Sequence, residues 1–246
     1  SLGQEGVRLE VHVDDQVPVA VGQRPDRIGA DGAGGVHEPV DAAEQLGRLA
    51  DEGAHRLVLL GDLFQAWVGF HQYETPGIRE FLDAIADLRR CGLRVDYVEG
   101  NRDFFLAEGP YRDSFDSVGV ECAFEAGGVR YLAVHGDGLN DHDRQYLAWR
   151  WLSKSGPVKM VVRGLPRRVV GRFIDSAERR LSRTNFKHKA EVPEAAIRRY
   201  GTRRLAEGHD VLLLGHFHEP RTFRVQGGEI RLLDAWFRSR QVEWLG

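Results

Sequence analysis

Four short apolar runs rich in β-formers, at residues 57–60, 95–98, 131–134 and 211–214, each lead directly into polar residues flanked by glycine. The polar stretches, in chain order, are Gly61-Asp62-Leu63-Phe64, Glu99-Gly100-Asn101-Arg102-Asp103, His135-Gly136-Asp137 and Gly215-His216-Phe217-His218. Apolar runs of this length bounded by glycine read as buried strands, and the helical patterns between them make the chain α/β. In open α/β sheets the loops beyond the carboxyl ends of strands gather ligands, so these polar residues are expected to meet at one edge. Asp62, Asn101, His135, His216 and His218 are the candidate metal ligands. Carboxylate, amide and imidazole together suit a borderline divalent ion such as manganese, iron or zinc. Taken singly, a Gly-Asp after a strand is a turn, Asn101 a turn former and His135 a satisfied core histidine. It is the four strand ends together that point to a metal site.

The rest of the chain alternates as an α/β protein should. Thr75-Pro76 starts a helix in which Ile78, Phe81, Leu82, Ile85 and Leu88 recur at helical spacing until Cys91-Gly92 stops it. A second helix is expected over residues 193–207, just before the strand that carries His216 and His218. Residues 222–225 and 230–233, around Gly227-Gly228, read as a hairpin that closes the sheet. Trp67, just past a strand end, reads as core. With 246 residues and 42% apolar content, the chain can bury a full core as one domain, residues 1–246. Cys91 and Cys122 lack the spacing of a zinc knuckle or redox pair, which implies a reduced, cytosolic protein. The start shows no basic-then-apolar leader, and no run of about 18 apolar residues occurs, so membrane contact is expected to be peripheral.

Charge is distributed unevenly. Residues 144–189 hold 13 Lys or Arg against only Asp175 and Glu178, a net of +11 in a chain of formal net charge −3, so the remainder carries −14. The same segment holds Trp149, Trp151, Leu152, Val158, Met160, Val161, Val162, Leu165, Val169, Val170, Phe173 and Ile174. Basic and apolar residues at helical spacing describe a binder of membrane surfaces or anionic amphiphiles. They equally describe a solvated helical hairpin whose apolar face packs on the domain. A nucleic-acid patch is a third, weaker reading, in which the clustered charge serves phosphates.

At Gly61-Asp62-Leu63-Phe64-Gln65-Ala66-Trp67-Val68-Gly69, Gly100-Asn101-Arg102-Asp103-Phe104, His135-Gly136-Asp137 with Asp143 beyond it, Gly215-His216-Phe217-His218 and Ala235-Trp236-Phe237, the chain resembles the calcineurin-like metallophosphoesterases. Within them it looks most like the UDP-2,3-diacylglucosamine hydrolases, pyrophosphatases of lipid A biosynthesis. The wider superfamily usually has histidine after the asparagine, where this chain has Arg102 as that subfamily does. The resemblance covers residues 55–246. The family opens with a strand ending in Asp-x-His, and no Asp-x-His occurs upstream of Asp62. Residues 14–40 are dense in Gly and Pro and do not read as a helix–strand unit. Residues 1–40 are thus atypical, either misread or disordered. The nearest donors, His12, Asp14, Asp15, Asp31 and His37, lack the family's spacing, so no ligand is assigned among them. Three explanations stand: a frameshifted or misassigned first fifty residues, a protein that lost half a metal site, or one that rebuilt it. The first is favoured because α/β patterning resumes abruptly near Asp41, and the missing initial methionine suggests a trimmed chain.

The resemblance implies a fold of two β-sheets sandwiched between helices, with residues 144–189 as an inserted helical cap over acyl chains. Pro157, Gly164 and Pro166 would break that cap into short helices. It implies two divalent ions, manganese expected, about 3.5 to 4 Å apart and bridged by Asp62. Asn101, His135 and His216 would hold the second ion and His218 the first. Arg102 would stabilise charge on the phosphoryl group; its alternative is a salt bridge with Asp103 or Asp137. Asp143, Arg183, Asn185 and Lys187 would contact substrate, and Asp137 and Glu219 would orient histidine rings. The implied activity is hydrolysis of UDP-2,3-diacylglucosamine to UMP and the diacylated sugar phosphate, by a cytoplasmic monomer peripherally associated with the inner membrane and without nucleic-acid partners. Two alternatives stay open: a calcineurin-like phosphoesterase acting on another nucleotide or phosphodiester, and a decayed homologue that only binds anionic lipid.

Overall fold

A computed structural model of the chain describes residues 17–20, 49, 52–64, 66–139, 144–166, 168–170, 192–234 and 242–245. Alternation along the central strands sets its layers, because successive side chains point to opposite faces. In β2 (Arg56–Leu59), Leu57 and Leu59 join Trp67, Ile78, Phe81 and Ile85, whereas Val58 and the following Leu60 join Phe124, Tyr131, Ala133 and Leu213. In β9 (Val211–Leu214), Val211 and Leu213 enter that same inner cluster, while Leu212 and Leu214 pack with Ile197 and Leu205. The two sheets therefore share one inner apolar layer, and each covers its outer face with a helix. The fold is the α/β/β/α sandwich.

The first sheet has the order β12-β1-β2-β4-β6, with β1 (Val17–Ala20), β4 (Arg94–Val98), β6 (Ser117–Gly119) and β12 (Glu243–Leu245); all neighbours are parallel except β12 with β1. The second has the order β10-β11-β9-β8-β7, with β7 (Glu121–Ala126), β8 (Val129–Val134), β10 (Arg221–Val225) and β11 (Gly228–Leu232). Here β8, β9 and β11 run parallel, and the β10–β11 hairpin closes one edge as its turn glycines anticipate. A small parallel pair, β3 (Trp67–Val68) with β5 (Asp103–Phe104), ties the loops that leave β2 and β4.

Helix α1 (Pro76–Arg90) forms where the capping signal lies: the Thr75 hydroxyl accepts the Ile78 amide at 3.2 Å, and Pro76 takes a position that needs no N–H. It buries Ile78, Phe81, Ile85 and Leu88 on the first sheet. Trp67 is fully buried beneath it, edge-on to Phe64 at 5.3 Å, Tyr97 at 5.5 Å and Phe81 at 5.9 Å, so it is core as expected. A departure from the sequence reading lies upstream. Val17–Ala20 sits inside the Gly- and Pro-rich stretch, yet forms β1, with Val19 opposite Val58 and Val17 opposite Leu245. Strands distant in sequence supply hydrogen-bonding neighbours on both sides, and that tertiary context overrides local composition.

The basic segment begins as α2 (Arg144–Ser153) and α3 (Gly156–Gly164). Pro157 lies in the first turn of α3 behind the N-cap Ser155 and Gly164 ends it, so this part of the segment is two short helices. Val158, Val162 and Leu165 pack against Val68, Phe70, Tyr73, Phe105 and Val170, and the Tyr73 hydroxyl sits 2.6 Å from the Val162 carbonyl and 2.7 Å from that of Leu165. Trp151, Leu152, Met160 and Val161 are exposed. No helix among the described residues is long and apolar enough to cross a membrane.

Candidate metal centre

The four polar strand ends converge at one edge of the sandwich, two from each sheet. Asp62 follows β2, Asn101 follows β4, His135 follows β8 and His216 follows β9. Asp62, His135 and His216 place one ligand atom each within 4.8 Å of one another. The His135 Nε2 lies 3.3 Å from the Asp62 Oδ2 and 3.2 Å from the Asn101 Oδ1, so the amide joins the same cluster. His218 lies outside that close trio, although its backbone, like that of Asp62 and His216, is left-handed, at φ 54, 56 and 57. Non-glycine residues in that region cost about 1–3 kcal/mol each and concentrate at sites where the strain aims a side chain.

Close backbone approach makes the convergence possible. Gly61 has φ +69, and a side chain on it would strike the Gly100 amide. Gly100 sits between the ligands: a Cβ there would overlap the Asp62 carboxylate and come within 2.8 Å of the His135 Cε1.

The orientation of each ligand has a cause. His135 Nδ1 lies 2.6 Å from the Leu60 carbonyl, which can only accept, so Nδ1 carries the proton and Nε2 faces Asp62. Sequence reasoning gave ring orientation to Asp137 and Glu219. For His135 the Leu60 backbone does this instead, while Glu219 pairs with Arg221 at the surface. A backbone carbonyl carries no residue signature, which is why it was missed. Asp62 Oδ1 accepts the Arg102 amide at 2.7 Å. The two carboxylates offered as partners for the Arg102 guanidinium each accept other donors. Asp103 Oδ2 accepts the amides of Asp62 and Gly100 at 2.9 and 2.8 Å, and Asp137 accepts Arg150 and the Tyr146 hydroxyl.

Asp103 is the residue the sequence reading undervalued. It is fully buried and ties the β2 loop to the β4 loop. Its place beside Arg102 in the sequence was the only available signal. Burial, and the Asp62 carboxylate beside it, push its carboxyl up to about 7. Asp103→Ala leaves two buried amides without acceptors, so urea unfolding should show a loss of about 1–3 kcal/mol per orphaned donor. An unchanged unfolding midpoint would mean that water replaces the carboxylate.

The electrostatics favour a cation. Burial opposes charge on Asp62, but the facing His135 imidazole and its hydrogen bond hold the carboxyl well below the usual range. Burial likewise works against a charged His135, and the Asp62 carboxylate outweighs it, raising the imidazole to about 9. A carboxylate, an amide and two imidazoles gathered within reach of one another are the donor set of a borderline divalent ion. Asp143, Arg183, Asn185 and Lys187 lie outside the described residues, as do His12, Asp14, Asp15, Asp31, His37 and residues 235–237.

A double-sheet sandwich with a carboxylate and two imidazoles gathered at its strand ends is a fold and site suited to metal-dependent hydrolysis. No protein-family model matches the chain. Among curated proteins, the UDP-2,3-diacylglucosamine hydrolase of Ralstonia nicotianae is 29% identical over 205 residues, 79% of this chain and 76% of the relative. That of Aeromonas hydrophila is 30% identical over 203 residues, 77% of this chain and 80% of the relative. Zinc-bound Vps29 from Entamoeba histolytica aligns with 89% of this chain and 74% of its own at a TM-score of 0.40 and 14% identity. The chain belongs to the UDP-2,3-diacylglucosamine hydrolase family.

Proposed function

We propose that the chain hydrolyses the pyrophosphate of UDP-2,3-diacylglucosamine, releasing UMP and 2,3-diacylglucosamine 1-phosphate, with two divalent ions, manganese the expected one. The carrying observation is the Asp62, His135 and His216 cluster in a chain of this family. When bound, divalent ions supply Lewis-acid polarisation of a phosphoryl oxygen and acidify water. Asp62, Asn101, His135, His216 and His218 would hold the ions, with Asn101, His135 and His216 toward the second, His218 toward the first and Asp62 serving both. Arg102 is the charge-stabilising residue, since a planar guanidinium can hold two phosphoryl oxygens at once. Asp143, Arg183, Asn185 and Lys187 contact the sugar and diphosphate. Residues 144–189, of which 144–166 and 168–170 are among the described residues, would serve as a cap inserted in a single domain. Exposed Trp151 and Met160, 75% and 78% accessible on a strongly basic segment, support an anionic amphiphile as the substrate. The same surface supports peripheral association with a membrane, and a cytoplasmic monomer at the inner membrane is the expected form.

A second reading, a homologue that binds anionic lipid without hydrolysing it, is favoured by one observation. Among the described residues one group of three His, Cys, Asp or Glu side chains is placed to hold an ion, and no Asp-x-His precedes it. Metal content and UMP release in manganese separate the two. Near two ions per chain with release establishes the enzyme; one ion or none without release establishes the binder. In the active chain Arg102→Lys should lower kcat about tenfold to a hundredfold with metal content unchanged. A neutral Arg102→Lys would remove Arg102 from the reaction.

A further inference from the structure

Helix α2 turns a polar stripe inward. Tyr146, Arg150 and Lys154, the last one residue past the helix, stand four residues apart and so share one face. All three reach the loops that carry candidate ligands. The Tyr146 hydroxyl donates at 2.8 Å to Asp137, two residues beyond His135, and the Arg150 guanidinium donates to the same carboxylate. Lys154 Nζ donates at 2.7 Å to the carbonyl of Gly100, whose peptide leads into Asn101. Gly100 is thereby fixed at both of its backbone groups, the N–H by Asp103 and the C=O by Lys154. Trp151 and Leu152, on the other faces of α2, are exposed. A surface helix that docked by burying apolar area would be turned the other way round. This one is held by charge-assisted hydrogen bonds to two metal-site loops, one from each sheet.

We propose that α2 is a positioning strap for the metal centre. Lys154 holds the Asn101 loop, and Arg150 with Tyr146 holds the His135 loop. The separation of those two ligands, and with it divalent-ion affinity, therefore depends on contacts made from the start of the basic segment. The inference rests on the metal reading above. Lys154, Arg150 and Tyr146 are positioning residues, because they act through Gly100 and Asp137.

The test is calorimetric titration of the full, metal-free chain with Mn2+, alongside its thermal unfolding without metal. Lys154→Met keeps the length and loses the donor; its Mn2+ affinity should fall by about tenfold, the scale of outer partners of metal ligands, and Lys154→Arg should restore most of it. Tyr146→Phe, which deletes one hydroxyl, should lower affinity several-fold. If Lys154→Met and Tyr146→Phe both bind Mn2+ like the parent, the strap is overturned. Equal losses in Lys154→Met and Lys154→Arg, tracking a lowered metal-free unfolding temperature, would reduce the effect to packing and also overturn it. A parent chain that binds no Mn2+ overturns the functional reading itself, and the strap with it.

Discussion

Gly100→Ala is expected to abolish divalent-ion binding and hydrolysis together in a chain that still folds. The added methyl would overlap the Asp62 carboxylate and press on His135 from 2.8 Å. Neither neighbour has a free direction of retreat. Asp62 is held by the Arg102 amide on one oxygen and by Asp103 through its own N–H, and His135 is tethered to the Leu60 carbonyl. Overpacking of this kind costs about 1–3 kcal/mol, small enough for the sandwich to survive. The ligands must separate, however, and a metal site tolerates displacements of only a few tenths of an ångström. Gly138→Ala is the control, since a methyl there meets nothing within 4 Å. Titration with Mn2+ and denaturant unfolding of both variants check this. Parent-like Mn2+ affinity in Gly100→Ala would show that Asp62 and His135 do not close around an ion.

His135→Ala should be nearly as severe. It removes the imidazole that faces Asp62 and Asn101, and with it several kcal/mol of transition-state stabilisation. The expected fall in kcat/KM is roughly 1000-fold or more. Residual activity within tenfold of the parent would remove His135 from the site. The metal-free chain offers a second readout. The folded imidazole is raised above its ordinary value near 6.5, to about 9, because the Asp62 carboxylate overcomes the effect of burial. A raised folded value means that the contribution to stability is complete below about pH 6.5 and is lost as pH climbs through 9. Metal-free parent should therefore lose stability across that alkaline window, and His135→Ala should not share the loss.

The strands that carry the ligands were legible because the signal is local. Each is a short apolar run, and the residues at its end sit beside it in the chain; the helix from Thr75 was legible for the same reason, its cap and apolar stripe both lying within one segment. Trp67 declared itself by size and apolarity. The strand Val17–Ala20 was not legible, because its hydrogen-bonding partners come from residues near 58 and 245. Asp103 was visible only as a neighbour of Arg102, since its acceptor role depends on an amide in another loop.

The sequence by itself determined the order of the four ligand-bearing strands and of the helix from Thr75, the identity of the donors at the strand ends and the uneven charge, all properties of residues close together in the chain. Only the tertiary structure decided which donors meet, how near Gly100 lets Asp62 and His135 approach, that Leu60 orients the His135 ring, and that a polar stripe of α2 grips both ligand loops. Those are contacts between segments far apart in the chain. They exist because the shared apolar layer brings two sheets to a common edge, and no local pattern encodes that distance.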